Sequence, residues 1–369
     1  MKIKVQSLIN DTKYFFVKLF SEKKNILKQI KFRFRKVKAK LFIKNSVKFY
    51  IYNKCRNKTS ITFIVNLYER LGDIIATEPI ARHLKSKYPD CKIIWTIRKQ
   101  YLSLIQYNPF IDEVIIVSSL QQVDSITKKE ESRGVIIIDC LFHRRRDDGQ
   151  PPPSHFHVNT SNPLINYSNY FLYGGLLECF CLSSGLPRLK DKPKLWINES
   201  KSIKVLKIRE RASNRPIITI HCTSSQATKN YSTQGWQVIT KELISKGYCV
   251  IELGTESCIL YPSEHFIDST IENLSISESI EILKSSDFFI GIDSSMAHAA
   301  NAANIPSIIL LGSLPNFVEY TPYSNKSNNR VELRNFRGPA FAIKPDSVLK
   351  AFCYLSTRIK LKKMNTSKL

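Results

Sequence analysis

Glycine is scarce in this chain, 12 of 369 residues. Those present form no G-x-G-x-x-G, G-x-x-x-x-G-K-[ST] or G-x-S-x-G pattern, which excludes the common glycine-cradled phosphate loops and the nucleophile elbow. No Asp-x-Asp triplet occurs, so the usual acidic handle for a divalent ion on a diphosphate is missing. His155 and His157 stand in a polar, proline-rich loop without acidic or cysteine companions, and no metal site is expected there. The nine cysteines are odd in number and include no C-x-x-C pair, which predicts free thiols in a reducing cytoplasm. No apolar run approaches the roughly 18 residues of a spanning helix. Charges interrupt every apolar run of the opening MKIKVQSLINDTKYFFVKLF, and no small-residue cleavage site follows, so no secretory signal is predicted.

Acidic residues are also few, 31 against 56 Lys and Arg, for a formal charge of +25. The imbalance is concentrated: residues 1–58 hold 18 basic residues against Asp11 and Glu22, a local +16. A smaller basic tail runs from Arg358 to Lys368. Phe16, Phe20, Leu27 and Ile30 follow helical spacing within the basic segment and would form an apolar stripe. A basic helix with an aromatic stripe suits an anionic membrane surface, where each cation adds about 1 kcal/mol. Packing on the protein body, or a nucleic-acid-binding arm, would use the same composition.

From residue 60 the pattern alternates short apolar runs with amphipathic stretches. Strands are predicted at 61–67, 92–97, 113–118 and 134–140, with a helix over 74–88. A long loop follows at 144–162, then helical character over 170–182. A proline- and charge-rich linker from Pro187 to Pro216 precedes a second set of strands at 216–222, 248–253, 287–293 and 307–312. These alternate with helices near 233–246, 275–285 and 295–304. Such alternation predicts parallel sheets with crossover helices, here in two successive α/β halves with ligands at the carboxyl ends of the strands.

Three constellations lie at such strand ends. In ERLGDIIATEP (69–79), Gly72 is read as permitting a tight turn. Asp73 is either an ordinary N-cap or a general base in an interdomain cleft. In GIDSSMAHAANAANIPSIILLGS (291–313), Asp293, Ser294 and Ser295 lead into a helix whose free N–H groups and dipole suit a diphosphate. His298, one turn in, either reaches the same site or is a satisfied core histidine. The alanines that follow read as close helix packing. In HCTSSQATKNYSTQGW (221–236), Lys229 is either a solvated loop lysine or a neutraliser of phosphate charge.

Together, Arg70-Leu71-Gly72-Asp73 with Thr77 and Pro79, then LKSKYPD (84–90), then Asp-Ser-Ser-x-x-His (293–298) with Pro306 and Leu311-Gly312, resemble glycosyltransferase family 9, the ADP-heptose:lipopolysaccharide heptosyltransferases. The resemblance spans residues 60–345, both halves in order. It implies an α/β fold of GT-B type, two Rossmann-like domains facing across a cleft. It also implies Asp73 as catalytic base, and Lys229, Thr223 and Ser224 on the diphosphate. Asp293, Ser294, Ser295 and His298 would line the nucleotide-sugar pocket, with Glu256 and Leu274 near ribose and base. Ser295 stands where many members have glycine, and Lys229-Asn230-Tyr231 replaces a K-x-W run.

The expected organisation is a basic extension (1–58), an acceptor domain (59–186), a linker (187–215), a nucleotide-sugar domain (216–345), and a C-terminal helix with basic tail (346–369). The expected activity is inverting, metal-independent transfer of a sugar, heptose favoured, from a nucleotide-sugar such as ADP-heptose to a lipopolysaccharide-core or related surface glycan. No cofactor is expected beyond the donor. The protein is expected on the inner face of the cytoplasmic membrane, held through residues 1–58, near lipid-linked acceptors and away from nucleic acid. A hexose or N-acetylhexosamine transferase, or a non-catalytic nucleotide- or RNA-binding protein of the same fold, would carry the same scaffold.

Overall fold

The computed structural model describes residues 60–141, 170–198, 202–212, 215–224, 229–312, 325–335 and 338–366, with Phe34, Ile165, Gln226, Pro322 and Tyr323. The basic segment 1–58 but for Phe34, and the 144–162 loop with His155 and His157, lie outside them. The chain divides into compact units 1–47 and 48–369, and everything below belongs to the second.

Four strands, β1 (Thr62–Asn66), β2 (Lys92–Ile97), β3 (Glu113–Ile116) and β4 (Ile136–Asp139), form a parallel sheet in the order β3-β2-β1-β4. Helices α1 (Leu71–Thr77), α2 (Pro79–Lys87), α3 (Leu120–Ser132) and α4 (Leu176–Ser183) belong to this half. Helix α5 (Ile203–Ala212) leads into a second parallel sheet. Its strands are β5 (Ile217–His221), β6 (Cys249–Leu253), β7 (Phe266–Asp268), β8 (Phe288–Ile292), β9 (Ser307–Gly312) and β10 (Arg330–Asn335), ordered β10-β9-β8-β5-β6-β7. Helices α6 (Thr233–Ser245), α7 (Ile276–Lys284), α8 (Ser295–Ala303) and α9 (Pro345–Thr366) accompany it.

The central strands are largely apolar because helices cover both faces of a parallel sheet. Phe63, Ile64 and Val65 of β1, and Phe289, Ile290 and Ile292 of β8, are fully buried. Two of the buried polar side chains of the first sheet, Asn66 and Trp95, are paired. Asn66 donates to Thr127 Oγ1 at 2.8 Å and accepts from Thr96 Oγ1 at 3.3 Å. Trp95 Nε1 donates to the Leu67 carbonyl. On the second sheet, α9 lays Val348, Phe352 and Leu355 into the core, where the Phe352 ring meets Phe288 and Tyr248 edge-on at 5.0 and 5.2 Å.

Four sequence expectations need correction. The single helix over 74–88 is two, because Pro79 has no N–H for the helical ladder and instead opens α2 at its first position. The 187–215 linker contains α5, whose Val205, Ile208 and Ala212 are buried at helical spacing. Strands β7 and β10 were not expected. Gly72 does not make a tight turn: it lies in the first turn of α1, and the left-handed backbone is at Arg70, with φ 67°.

A buried carboxylate ties the segment after α4 to the first sheet's helices. Glu78, 5% exposed between α1 and α2, pairs with Arg82 at 3.0 Å. It also accepts from the Lys194 backbone and from Trp196 Nε1, each at 2.9 Å. Arg82 in turn donates to the Lys192 carbonyl at 2.8 Å.

Candidate active site

In each sheet, strand order reverses beside one central strand, and there the connecting loops diverge and leave a crevice at the carboxyl ends. In the first sheet β1 lies between β2 and β4, and in the second β8 lies beside β5. The chain leaving β1 carries Gly72 and Asp73, that leaving β5 carries Thr223 to Lys229, and that leaving β8 carries Asp293 to His298. All three predicted constellations therefore sit at switch points.

Two of them touch. The start of α1 packs against the start of α8, so closely that a Cβ on Gly72 would lie 3.0 Å from His298 Cδ2 and 3.3 Å from Ser295 Cα. Glycine is needed at 72 for that approach rather than for backbone freedom. The Cβ tolerates ordinary contact only beyond about 3.4 Å. Asp73, half-buried in the first turn of α1, is near enough to raise the His298 pKa. It is not the N-cap, a position held by Arg70.

The third constellation is joined by charge. Lys229 Nζ lies 2.7 Å from Asp293 Oδ2, the two side chains 23% and 10% exposed. Burial by itself would raise the Asp293 pKa, but Lys229 outweighs it and holds the carboxyl below its ordinary value. Burial drives His298 below 6.5, against the opposing pull of Asp293 and Asp73, so the imidazole is neutral near pH 7. Ser294 caps α8 in extended backbone without a side-chain cap bond. Its buried hydroxyl has no hydrogen-bond partner among the described residues. Together with the α8 N–H groups, this gives an anion-suited helix start beside a lysine.

Thr223 is half-buried after β5. The Ser224 hydroxyl faces two acceptors, the Gln226 carbonyl at 2.9 Å and Asn230 Oδ1 at 3.3 Å, and Asn230 also accepts the Ser224 N–H at 2.9 Å. Asn230 thus closes the Ser/Thr loop. Tyr231 is a core residue, its ring against Trp236 at 5.1 Å and its hydroxyl donating to the Ile343 carbonyl at 2.7 Å. Glu256 is exposed in the loop after β6, and Leu274 is half-buried between β7 and α7. Both lie along the carboxyl edge of the second sheet, strung out from Asp293 by the width of β5 and β6.

Sequence reasoning missed the support behind His298. Its ring lies 5.3 Å from that of Tyr323, and the Arg330 guanidinium stacks on Tyr323 at 4.1 Å. Arg330 is fixed by Asn301 Oδ1 at 2.7 Å, the Asn325 carbonyl at 2.9 Å and Glu332 at 2.9 Å, and Asn301 and Asn325 bond each other through both amides. No local spacing announces this chain, because its members come from α8, β10 and the segment between β9 and β10.

The comparisons with known proteins bear on this geometry. Residues 176–341 match the model of glycosyltransferase family 9 (heptosyltransferase). No curated protein sequence matches the chain. Among solved structures, a glycosyl transferase family 9 protein from Veillonella parvula is similar at 16% identity with a TM-score of 0.55, over 80% of this chain and 97% of that one. The ADP-heptose LPS heptosyltransferase II of E. coli is similar at 16% identity with a TM-score of 0.60, over 81% of this chain and 99% of that one. At such identity the structures speak for the fold, while the family match speaks for the half that bears Lys229 and Asp293. Over residues 176–341 the chain is similar to glycosyltransferase family 9, and the protein is a glycosyltransferase of the GT-B fold.

Proposed function

We propose that the protein transfers a sugar, heptose favoured, from a nucleoside-diphosphate donor such as ADP-heptose to a hydroxyl of a lipopolysaccharide-core or related surface glycan, with inversion. The observation that supports this most directly is the meeting of Gly72 and Asp73 with Ser295 and His298, beside the Lys229–Asp293 pair. A base and an anion-suited helix start are thereby brought from two sheets to one place.

In this reading the acceptor hydroxyl gives its proton to Asp73 as its oxygen attacks the anomeric carbon. The bond from that carbon to the diphosphate oxygen breaks, and the nucleoside diphosphate leaves with the electron pair. Leaving-group charge is the main electrostatic demand. Lys229, the α8 N–H groups and the unpartnered Ser294 hydroxyl meet it without a divalent ion on the diphosphate. Neutral His298 adds no positive charge and packs the wall of the site. Thr223 and Ser224 belong to the diphosphate loop, while Glu256 and Leu274 are assigned to the ribose and base side.

The basic residues of segment 1–58 supply the charge for an anionic membrane surface, where lipid-linked acceptors reside. No helix among the described residues is long and apolar enough to cross a membrane. In this reading surface binding rests on that charge, and the whole chain should bind anionic vesicles while a chain lacking residues 1–58 should not.

Thermal unfolding with a panel of nucleoside diphosphates and nucleotide-sugars, with and without Mg2+, tests the donor. A selective shift with ADP or ADP-heptose that needs no Mg2+ is expected, and a tenfold excess over Kd gives about 1.4 kcal/mol of stabilisation. Selectivity for UDP or GDP compounds would replace heptose by a hexose-type donor, and no shift with any compound would overturn the catalytic reading.

A further inference from the structure

Three groups that sugar transfer does not use come together at the carboxyl end of β5 and β6. Cys222 directly follows β5, Glu252 is the fourth residue of β6, and Cys258 lies in the loop that leaves β6. Parallel register sets Glu252 beside Ile220, two residues before Cys222. The two sulfurs and a carboxylate oxygen all lie within 4.8 Å of one another. Cys222 is 2% exposed and Glu252 fully buried, with Cys258 half-buried above them.

The carboxylate folds the loop onto itself. Its Oε1 accepts from the Cys258 N–H at 2.9 Å and its Oε2 from the Ile259 N–H at 3.1 Å. Thr233 Oγ1, at the start of α6, stands 3.6 Å from Cys258 Sγ. Among the described residues no Lys, Arg or His forms an ion pair with Glu252. A buried carboxylate is expensive to keep, and two neutral N–H donors with the Cys222 thiol offset only part of that cost; the remainder is met by a proton or by a cation. The rest of β6, Cys-Val-Ile-Glu-Leu, is apolar. An aliphatic residue at 252 would leave the Cys258 and Ile259 N–H groups without their acceptor, so the acid has a structural use in the loop, and the two sulfurs beside it add further ligand atoms within reach.

We propose that Cys222, Glu252 and Cys258 form a binding site for one thiophilic divalent cation of the Zn2+ class. Two sulfurs with one carboxylate select a borderline-soft ion over Mg2+ or Ca2+. Three protein ligands leave a fourth, tetrahedral position for water. Bonds of about 2.3 Å to sulfur and about 2.0–2.2 Å to oxygen need ligand atoms some 3.5–3.8 Å apart, so the three groups close by no more than about 1 Å. Binding releases to solvent whatever protons the two thiols and Glu252 hold in the metal-free site, and two thiolates, one carboxylate and the dication leave a net charge of −1. The ion ties the loop that carries Glu256 to the end of β5, which carries Thr223. Lys229 is not among these ligands, and the site supplies no group to the transfer step proposed above.

The test uses the full chain and metal readouts that need no donor or acceptor. Metal content by mass spectrometry, and titration of metal-free protein with Co2+ and Zn2+, should show one equivalent bound with thiolate-to-cobalt charge-transfer absorption. That absorption should weaken in Cys258→Ser and vanish in the Cys222→Ser/Cys258→Ser double variant, while Cys353→Ser, at an exposed thiol, leaves it unchanged. Glu252→Gln should lower Zn2+ affinity about 10-fold or more. If Glu252→Gln fails to fold, Cys258→Ser in the half-exposed loop still decides. No bound equivalent, binding unaffected by Cys258→Ser, or recovery of Cys222 and Cys258 as a metal-free disulfide would each overturn the proposal. A failure here would leave the nucleotide shifts intact, and the reverse holds too.

Discussion

Removing either partner of the Lys229–Asp293 pair should destabilise the second half of the molecule by an amount that the geometry bounds. The N–O distance of 2.7 Å puts the charge centres about 4 Å apart, where an effective dielectric near 20 gives a Coulomb term of about 4 kcal/mol. Desolvation of a side chain 10% exposed and another 23% exposed takes back a large part of it. The remainder, about 1.5–3 kcal/mol, is that of a charge-assisted hydrogen bond. A double-mutant cycle of Lys229→Ala and Asp293→Asn reads this coupling directly. Urea unfolding followed by tryptophan fluorescence is a suitable assay, because Trp236 is fully buried in α6 of the same half. Because the pair is shielded, more than half of the coupling should survive 1 M NaCl, where the screening length is about 3 Å. A coupling below about 0.5 kcal/mol, or one abolished by salt, would make the pair an ordinary surface bridge and refute the electrostatic picture of the site.

Gly72→Ala tests the approach of α1 to α8: in an unconstrained helix the change stabilises by about 1 kcal/mol, but overpacking against His298 and Ser295 should reverse the sign to a loss of about 1–3 kcal/mol, read by thermal unfolding. Asp73→Ala should reduce turnover by about 10² to 10⁴ while leaving nucleotide affinity within twofold, and wild-type turnover would remove Asp73 from the mechanism. Glu78→Ala leaves Arg82 and two N–H donors without their acceptor, for a loss of about 3 kcal/mol and faster proteolysis within residues 187–198. His298 has a folded-state pKa below 6.5, so the unfolded chain binds more protons below pH 6.5. Stability is therefore complete above pH 6.5 and falls on acidification towards the folded value, by up to about 1.4 kcal/mol per pH unit. His298→Gln should remove its share of that slope and leave the shares of His221 and His83, which burial also holds below 6.5.

What the sequence made legible, and what it hid, follows from where each element sits in the sheets. Strands β1, β5 and β8 were legible because a central parallel strand is covered on both faces and reads as a mostly apolar run. Strands β7 and β10 are the two edges of the second sheet. Phe266-Ile267-Asp268 is too short to carry a period, and Arg330 to Asn335 are all only half-buried, so neither gave a run. Helix α5 was hidden by its charge: Lys204, Lys207, Arg209 and Arg211 cover the three buried positions that define its face. The same logic separates the site residues. The positions of Asp73 and Asp293 after strands were legible because a strand's carboxyl end is visible in one dimension, while the role of Asp73 as base is what the family resemblance implies, its local context allowing an N-cap as well. The Lys229–Asp293 pair and the stack of Arg330 on Tyr323 behind His298 join segments that the sheet order alone makes neighbours. Gly72 shows the limit most clearly. Its local context suggests a turn, whereas the constraint comes from His298, more than two hundred residues away and on the other sheet. A residue chosen for what approaches it leaves no local mark, which is why the meeting of the two halves had to be seen rather than read.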